Sequence, residues 1–147
     1  MPLYDQEKVV KLVSQLRNSV GRLRDISKLP LEEFLKDPDK IGSCKYHFIV
    51  AIESTIDMCN HIISQNGYRV PEDYGDTFKV MGEVGALDSD FSGQLTNMAK
   101  FRNRLVHLYW EVDDQQVYEI LQNRLDDFKK FLNAIAKFLQ FQNLEFS

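Results

Sequence analysis

Residues 39–65, DKIGSCKYHFIVAIESTIDMCNHIISQ, carry Ile49, Ile52, Ile56, Cys59 and Ile63 at intervals of three and four, which lays one apolar stripe along a long core helix. The signals at its two ends agree. Asp37-Pro38 supplies a cap followed by proline at the first helical position, and Asn66-Gly67 is a helix-stopping pair. Upstream, Val9, Val13, Leu16, Val20 and Leu23 repeat the spacing over residues 5–27, with Arg17, Arg22 and Arg24 on the solvated face. Pro30 interrupts that helix, and residues 31–35 suit a short one. Downstream, residues 68–76, with Pro71 and Gly75, are the least regular part of the chain and read as a loop at a site mouth. A short helix over 77–84 follows, and Asp88 or Ser89 then starts a helix carrying Leu95 and Met98. Asp113-Asp114 caps a last amphipathic helix marked by Leu121, Leu125, Phe128, Leu132, Ile135 and Leu139. Phe131, Phe138 and Phe141 lie partly off that stripe, as a second apolar surface for a partner or as the edge of a wide core-facing one.

The expected fold is therefore all-α: an up-and-down bundle of four long helices near 5–27, 39–65, 89–108 and 114–140, with short extra helices and no sheet. Composition agrees, because 7 Gly and 4 Pro in 147 residues are few for a fold needing frequent turns. A 44% hydrophobic content gives one domain, 1–147, a substantial core. A net charge of −4 argues against gripping long duplexes by bulk electrostatics, yet Lys100, Arg102, Arg104 and His107 form a local basic cluster.

Cys44 and Cys59, about 22 Å apart on one helix, cannot bridge each other and read as buried, reduced thiols. His47 and His61, about 21 Å apart along the same axis, cannot share a metal and read as structural or partly exposed. Glu53 and Asp57, one turn apart, read as a surface pair or as a salt bridge to a neighbouring helix, ahead of a metal or general-base feature. The chain shows no internal repeat, glycine-rich phosphate loop, Cys-x-x-Cys, His-Glu-x-x-His or nucleophile elbow, so zinc and serine hydrolases lose support. The start of the chain lacks the pattern of a signal peptide and no twenty-residue apolar span exists, so no membrane role and a cytoplasmic location are expected.

The chemistry-bearing stretch is Phe101-Arg102-Asn103-Arg104-Leu105-Val106-His107-Leu108-Tyr109-Trp110. On a helix Asn103 and His107 share a face, Arg102 lies roughly 140° from His107, and Arg104 about 60° from it. An imidazole titrating near neutral pH, a planar permanent cation and an amide have the parts for acid–base chemistry on a phosphorylated substrate. Geometry alone leaves both arginines open. It leaves open too the bland arrangement in which both are solvated, Asn103 is a cap and His107 a core histidine.

Arg102, four residues, His107, one residue, then Tyr109, with Asn103 after the arginine, resembles the Arg-x4-His-x-Tyr signature of HepT-type toxins, a branch of the HEPN superfamily of all-α ribonucleases. Residues 51–63, the loop Pro71-Glu72-Asp73-Tyr74 and the helix after Asp113-Asp114 look like that family as well. The resemblance implies a homodimeric, metal-independent endoribonuclease without a cofactor, paired with a nucleotidyltransferase antitoxin of the MNT type that modifies Tyr109. It selects Arg102 over Arg104 as the phosphate-binding arginine, leaving Arg104 as a secondary phosphate contact or an ion-pair partner. His107 becomes the general base or proton shuttle, and Asn103 orients His107 or the phosphate. RNA suits such a set, because its own 2′-hydroxyl is the nucleophile and the protein need only move a proton, neutralise charge and align the backbone. The alternative class is a non-catalytic nucleotide- or partner-binding module acting with a nucleotidyltransferase, and a third is a purely structural helical dimer.

Overall fold

Seven α-helices and one 3-10 turn make up the regular structure of residues 1–141, the part of the chain that the computed structural model describes. They are α1 (Gln6–Ser27), α2 (Leu31–Leu35), α3 (Pro38–Asn66), α4 (Tyr74–Glu83), α5 (Ser89–His107), the turn Tyr109–Glu111, α6 (Asp114–Asn123) and α7 (Asp126–Leu139). Among the described residues there is no strand. Asp5, Asp37, Asp73 and Asp88 each accept the backbone N–H three residues on, from Lys8, Lys40, Asp76 and Phe91, and so satisfy donors that a helix start leaves unpaired. α3 stops where Gly67 takes φ +63°, a left-handed conformation that suits glycine.

The apolar stripe of α1 is buried against that of α3. The two helices run antiparallel: Ser19 Oγ lies 3.3 Å from His47 Nδ1 at one end. At the other, Leu3 N–H donates to Asn66 Oδ1 at 2.7 Å while Asn66 Nδ2 donates to Leu3 O at 2.9 Å. α4 and α5 form a second antiparallel pair, joined by Ser92 Oγ donating to Phe78 O at 2.8 Å and Thr96 Oγ1 donating to Gly75 O at 3.3 Å. A Cβ on Gly75 would stand 3.2 Å from Thr96 Cγ2, so the missing side chain lets the start of α4 lie close to α5. α7 returns along α1, with Arg24 and Asp126 at 3.5 Å and the Tyr4 and Phe141 rings 5.7 Å apart.

Two expectations need correction. The single helix expected over 114–140 is broken, because Arg124 adopts φ −120°, ψ 0° and α7 begins at Asp126. Side chains of α6 explain the break: Tyr118 Oη donates to Leu29 O and Gln122 Nε2 to Ser27 O, both at 2.7 Å, which ties α6 to the end of α1. The chain must then turn to follow α1 back. α4 starts at Tyr74 rather than Thr77, since Asp73 caps it, and the loop expected over 68–76 shortens accordingly. Phe131 is fully buried, 6.5 Å edge-on from Phe78, and Phe138 and Phe141 pack half-buried on the core, so the stripe of α7 is a wide one.

Cys44 and Cys59 are free and buried, and burial raises both thiols, Cys44 to about 12. His61 is structural: its Nε2 accepts the Asp5 N–H at 2.8 Å. No helix among the described residues is long and apolar enough to cross a membrane.

Candidate functional site

Phe91, Leu95, Met98, Phe101 and Leu105 bury one face of α5, and Phe101 meets Phe48 of α3 edge-on at 5.4 Å. This seating brings Arg102 beside α3 and α4. Its Nη2 donates to Glu53 Oε1 at 2.7 Å, its Nη1 donates to Asn103 Oδ1 at 3.0 Å, and its Cζ stands 4.8 Å from the centre of the Tyr74 ring. The Arg102 side chain is only 11% exposed and that of Glu53 38%, so the pair is charge-assisted and open to solvent from the carboxylate side. Arg102 Nε is buried and has no hydrogen-bond partner among the described residues. Asp57, one turn beyond Glu53, has its carboxyl raised by desolvation and then by the Glu53 charge.

α5 ends at His107, where Leu108 takes φ −130°, ψ 37° and the chain swings into the 3-10 turn. His107 is exposed and makes no side-chain hydrogen bond among the described residues. Arg104, a cation in the last turn of α5, complements the helix dipole. Arg104 Nη2 donates to Gln116 Oε1 of α6 at 3.2 Å. The turn carries Tyr109 over α3, where Lys45 Nζ stands 4.3 Å from its ring centre and 3.5 Å from its carbonyl oxygen. Lys45, whose side chain is 5% exposed, also lies 3.1 Å from Asp114 Oδ1. That oxygen accepts no directed hydrogen bond, so the contact is one of charge.

The residues expected to act together are thus distributed in one chain. Arg102 and Asn103 are joined, but Asn103 supports the arginine and not His107. Arg104 is engaged by α6, and Tyr109 by Lys45. Of the acidic pair on α3, Glu53 makes the interhelical salt bridge. The partnership of Tyr74 with Arg102 left no mark in the sequence. Lys45 did leave one: it falls on the buried series Ile41, Lys45, Phe48, Ile52, a charge at a core position. No cluster of three or more metal-binding side chains occurs among the described residues.

Residues 16–135 match the model of a protein family described as Ribonuclease HepT-like. This chain belongs to that family. The HepT-like chain is 31% identical over 83 residues to the mRNA nuclease HepT of Shewanella oneidensis, a match covering 56% of this chain and 62% of that protein, less than two thirds of its length. It is 21% identical over 120 residues to the tRNA nuclease HepT of Aphanizomenon flos-aquae, covering 82% of each. In fold it resembles a tri-AMPylated Shewanella oneidensis HEPN toxin solved in complex with an MNT antitoxin. There the TM-score is 0.82 at 23% identity, over 88% of this chain and 97% of that one. This likeness shows that the HepT-like chain shares the all-α fold of that toxin.

Proposed function

We propose that this chain is an endoribonuclease toxin that cleaves RNA by attack of a 2′-hydroxyl on the adjacent phosphate, without a metal or other cofactor. The observation that carries the proposal is the state of Arg102 in a member of this family: buried, clamped by Glu53, Asn103 and Tyr74, and with two of its five N–H donors engaged. A preset guanidinium with donors to spare is suited to a phosphate oxygen, and its bonds strengthen as charge builds on the phosphate in the transition state. His107, exposed and uncommitted, takes the 2′-hydroxyl proton, a role contributing roughly 10²–10⁴ in rate. Arg104 adds a second cation on the same helix end.

The whole chain acts as one domain, and the working form is a homodimer. Val106, Leu108 and Trp110 are exposed in one run beside His107, Trp110 at 93%, and a second copy covering them would bring two sets of motif residues to one axis. Buried, protonated thiols suit the cytoplasm. A HEPN toxin of similar fold is found tri-AMPylated in complex with an MNT antitoxin, which supports the reading that a cognate nucleotidyltransferase modifies Tyr109. The added phosphate would bring negative charge beside the group that must admit RNA.

The test is cleavage of single-stranded RNA by the purified protein with chelator present. Cleavage is expected, with cyclic 2′,3′-phosphate ends, and should vanish in an Arg102→Ala, His107→Ala double variant or when the reacting nucleotide is 2′-deoxy. Cleavage persisting in the double variant would overturn the assignment. Co-expression with the transferase should add nucleotide mass at Tyr109 and silence the wild type, and Tyr109→Phe should stay active. A Phe variant silenced as fully by a competent transferase, without stable complex formation, would refute regulation through that hydroxyl.

A further inference from the structure

Next to Arg102 the fold carries a cavity of about 600 Å³ between the last two turns of α3 and the loop leading into α4. Asn60, Ile63 and Ser64 form its floor, Tyr68 and Tyr74 supply two aromatic rings, and Glu72 and Asp73 stand at its edge. Its size falls in the range of small-molecule sites. Tyr74 belongs to the cavity wall and to the Arg102 cluster at once, since the guanidinium lies 4.8 Å from its ring centre. A helical stripe of polar groups, Glu53, Asp57, Asn60 and Ser64, spaced four, three and four apart, runs from the arginine to the cavity floor.

We propose that this cavity receives an unpaired nucleobase of the RNA next to the phosphate held by Arg102. The proposal rests on the ribonuclease reading above and adds to it the place where the substrate is gripped. The two tyrosines offer faces for a base to stack on, which is how proteins hold single-stranded nucleic acid. The sign of the charge selects the occupant: Glu72 and Asp73 repel a phosphate, whereas a neutral base bearing amino groups presents donors to carboxylate and amide oxygens. The loop is held in place for this task. Arg69 donates to both Asp76 oxygens at 2.8 and 2.9 Å and to Glu83 at 3.1 Å, so the segment lining the cavity is strapped to α4. The arrangement predicts that cleavage requires an unstacked base beside the cut, and that bases with an exocyclic amine outrank uracil there.

The experiment uses the full wild-type protein, a Ser64→Trp variant whose indole fills the cavity from an exposed helix position, and one single-stranded oligonucleotide cut at one phosphate. The nucleotides flanking that phosphate are varied in base or made abasic one at a time. Wild type should lose roughly ten-fold or more in kcat/KM, mainly through KM, when the base at one flanking position is removed. Ser64→Trp should cut the intact and that abasic RNA at the same reduced rate, showing that base and cavity act as one unit. The abasic comparison needs no variant and so stands whether or not Ser64→Trp folds. Cleavage by wild type that is indifferent to abasic substitution on both sides overturns the cavity proposal while the ribonuclease reading survives. So does an abasic penalty that a folded Ser64→Trp variant retains in full. Absence of any Arg102-dependent cleavage by wild type overturns the ribonuclease reading, and the cavity proposal with it.

Discussion

Lys45 shows how a single residue of the scaffold differs from what its charge suggests. It is buried under the Tyr109 ring, with Asp114 as its counter-charge, and that carboxylate is 40% exposed. Removing the partner leaves an ammonium buried with only a ring and a carbonyl, whereas removing the lysine leaves a carboxylate whose Oδ1 is buried but whose side chain is 40% exposed overall. Asp114→Ala is therefore expected to lower stability by about 1–2 kcal/mol, discounted from a fully buried pair for its exposure, and Lys45→Met to stay within about 1 kcal/mol of wild type. Urea titrations of the two variants check the order, and a larger loss in Lys45→Met would refute it. The charge at a core spacing was readable before any coordinates. The pairing of Arg102 with Glu53 was not, because 49 residues separate them and only the docking of α5 on α3 brings them within 2.7 Å.

Helix ends were the most legible elements, since their signals are local. Asp37-Pro38, Asp88, Asp113 and Gly67 all sit where the structure starts or stops a helix. Gly67 permits a direct check. Its φ of +63° strains a side chain while nothing lies within 4 Å of its Cβ position, so Gly67→Ala should cost roughly 1 kcal/mol of backbone strain with no clash. A Gly67→Asn variant, whose side chain tolerates that region, should lose less in the same thermal melt. The break at Arg124 was illegible for a physical reason: Leu121, Leu125 and Phe128 keep a helical interval across it, and all three are buried. Periodicity reports which residues face inward. It does not report that Tyr118 and Gln122 fix α6 to the carbonyls of Leu29 and Ser27.

Across the whole molecule, two histidines set how stability responds to acid. Both have pKa values lowered from 6.5: His61 by desolvation and then Lys8, His47 by desolvation and then Arg22. The unfolded chain binds these protons more readily, so the stabilising contribution is full above about 6.5 and is lost as pH falls through the lowered native values. The urea midpoint should thus drop between pH 7.5 and 5.5, while the raised carboxyls of Asp57 and Asp127 act in the opposite sense as they take up protons. A midpoint that rises over this window would contradict the assignment. Assembly gives a second check at this scale. If Trp110 anchors the contact between copies, Trp110→Glu should weaken self-association roughly 30-fold or more by sedimentation and reduce cleavage in parallel. A variant that remains as dimeric as wild type would remove Trp110 from the interface. The clasp between Leu3 and Asn66 also imposes an order in time. Its partners lie 63 residues apart, so at about 5–20 residues per second of synthesis the segment leading into α1 waits roughly 3–13 s for its anchor. Arg102 is made later still, so on the ribosome the α1–α3 frame has its closing residue before the helix that bears the chemistry has been translated.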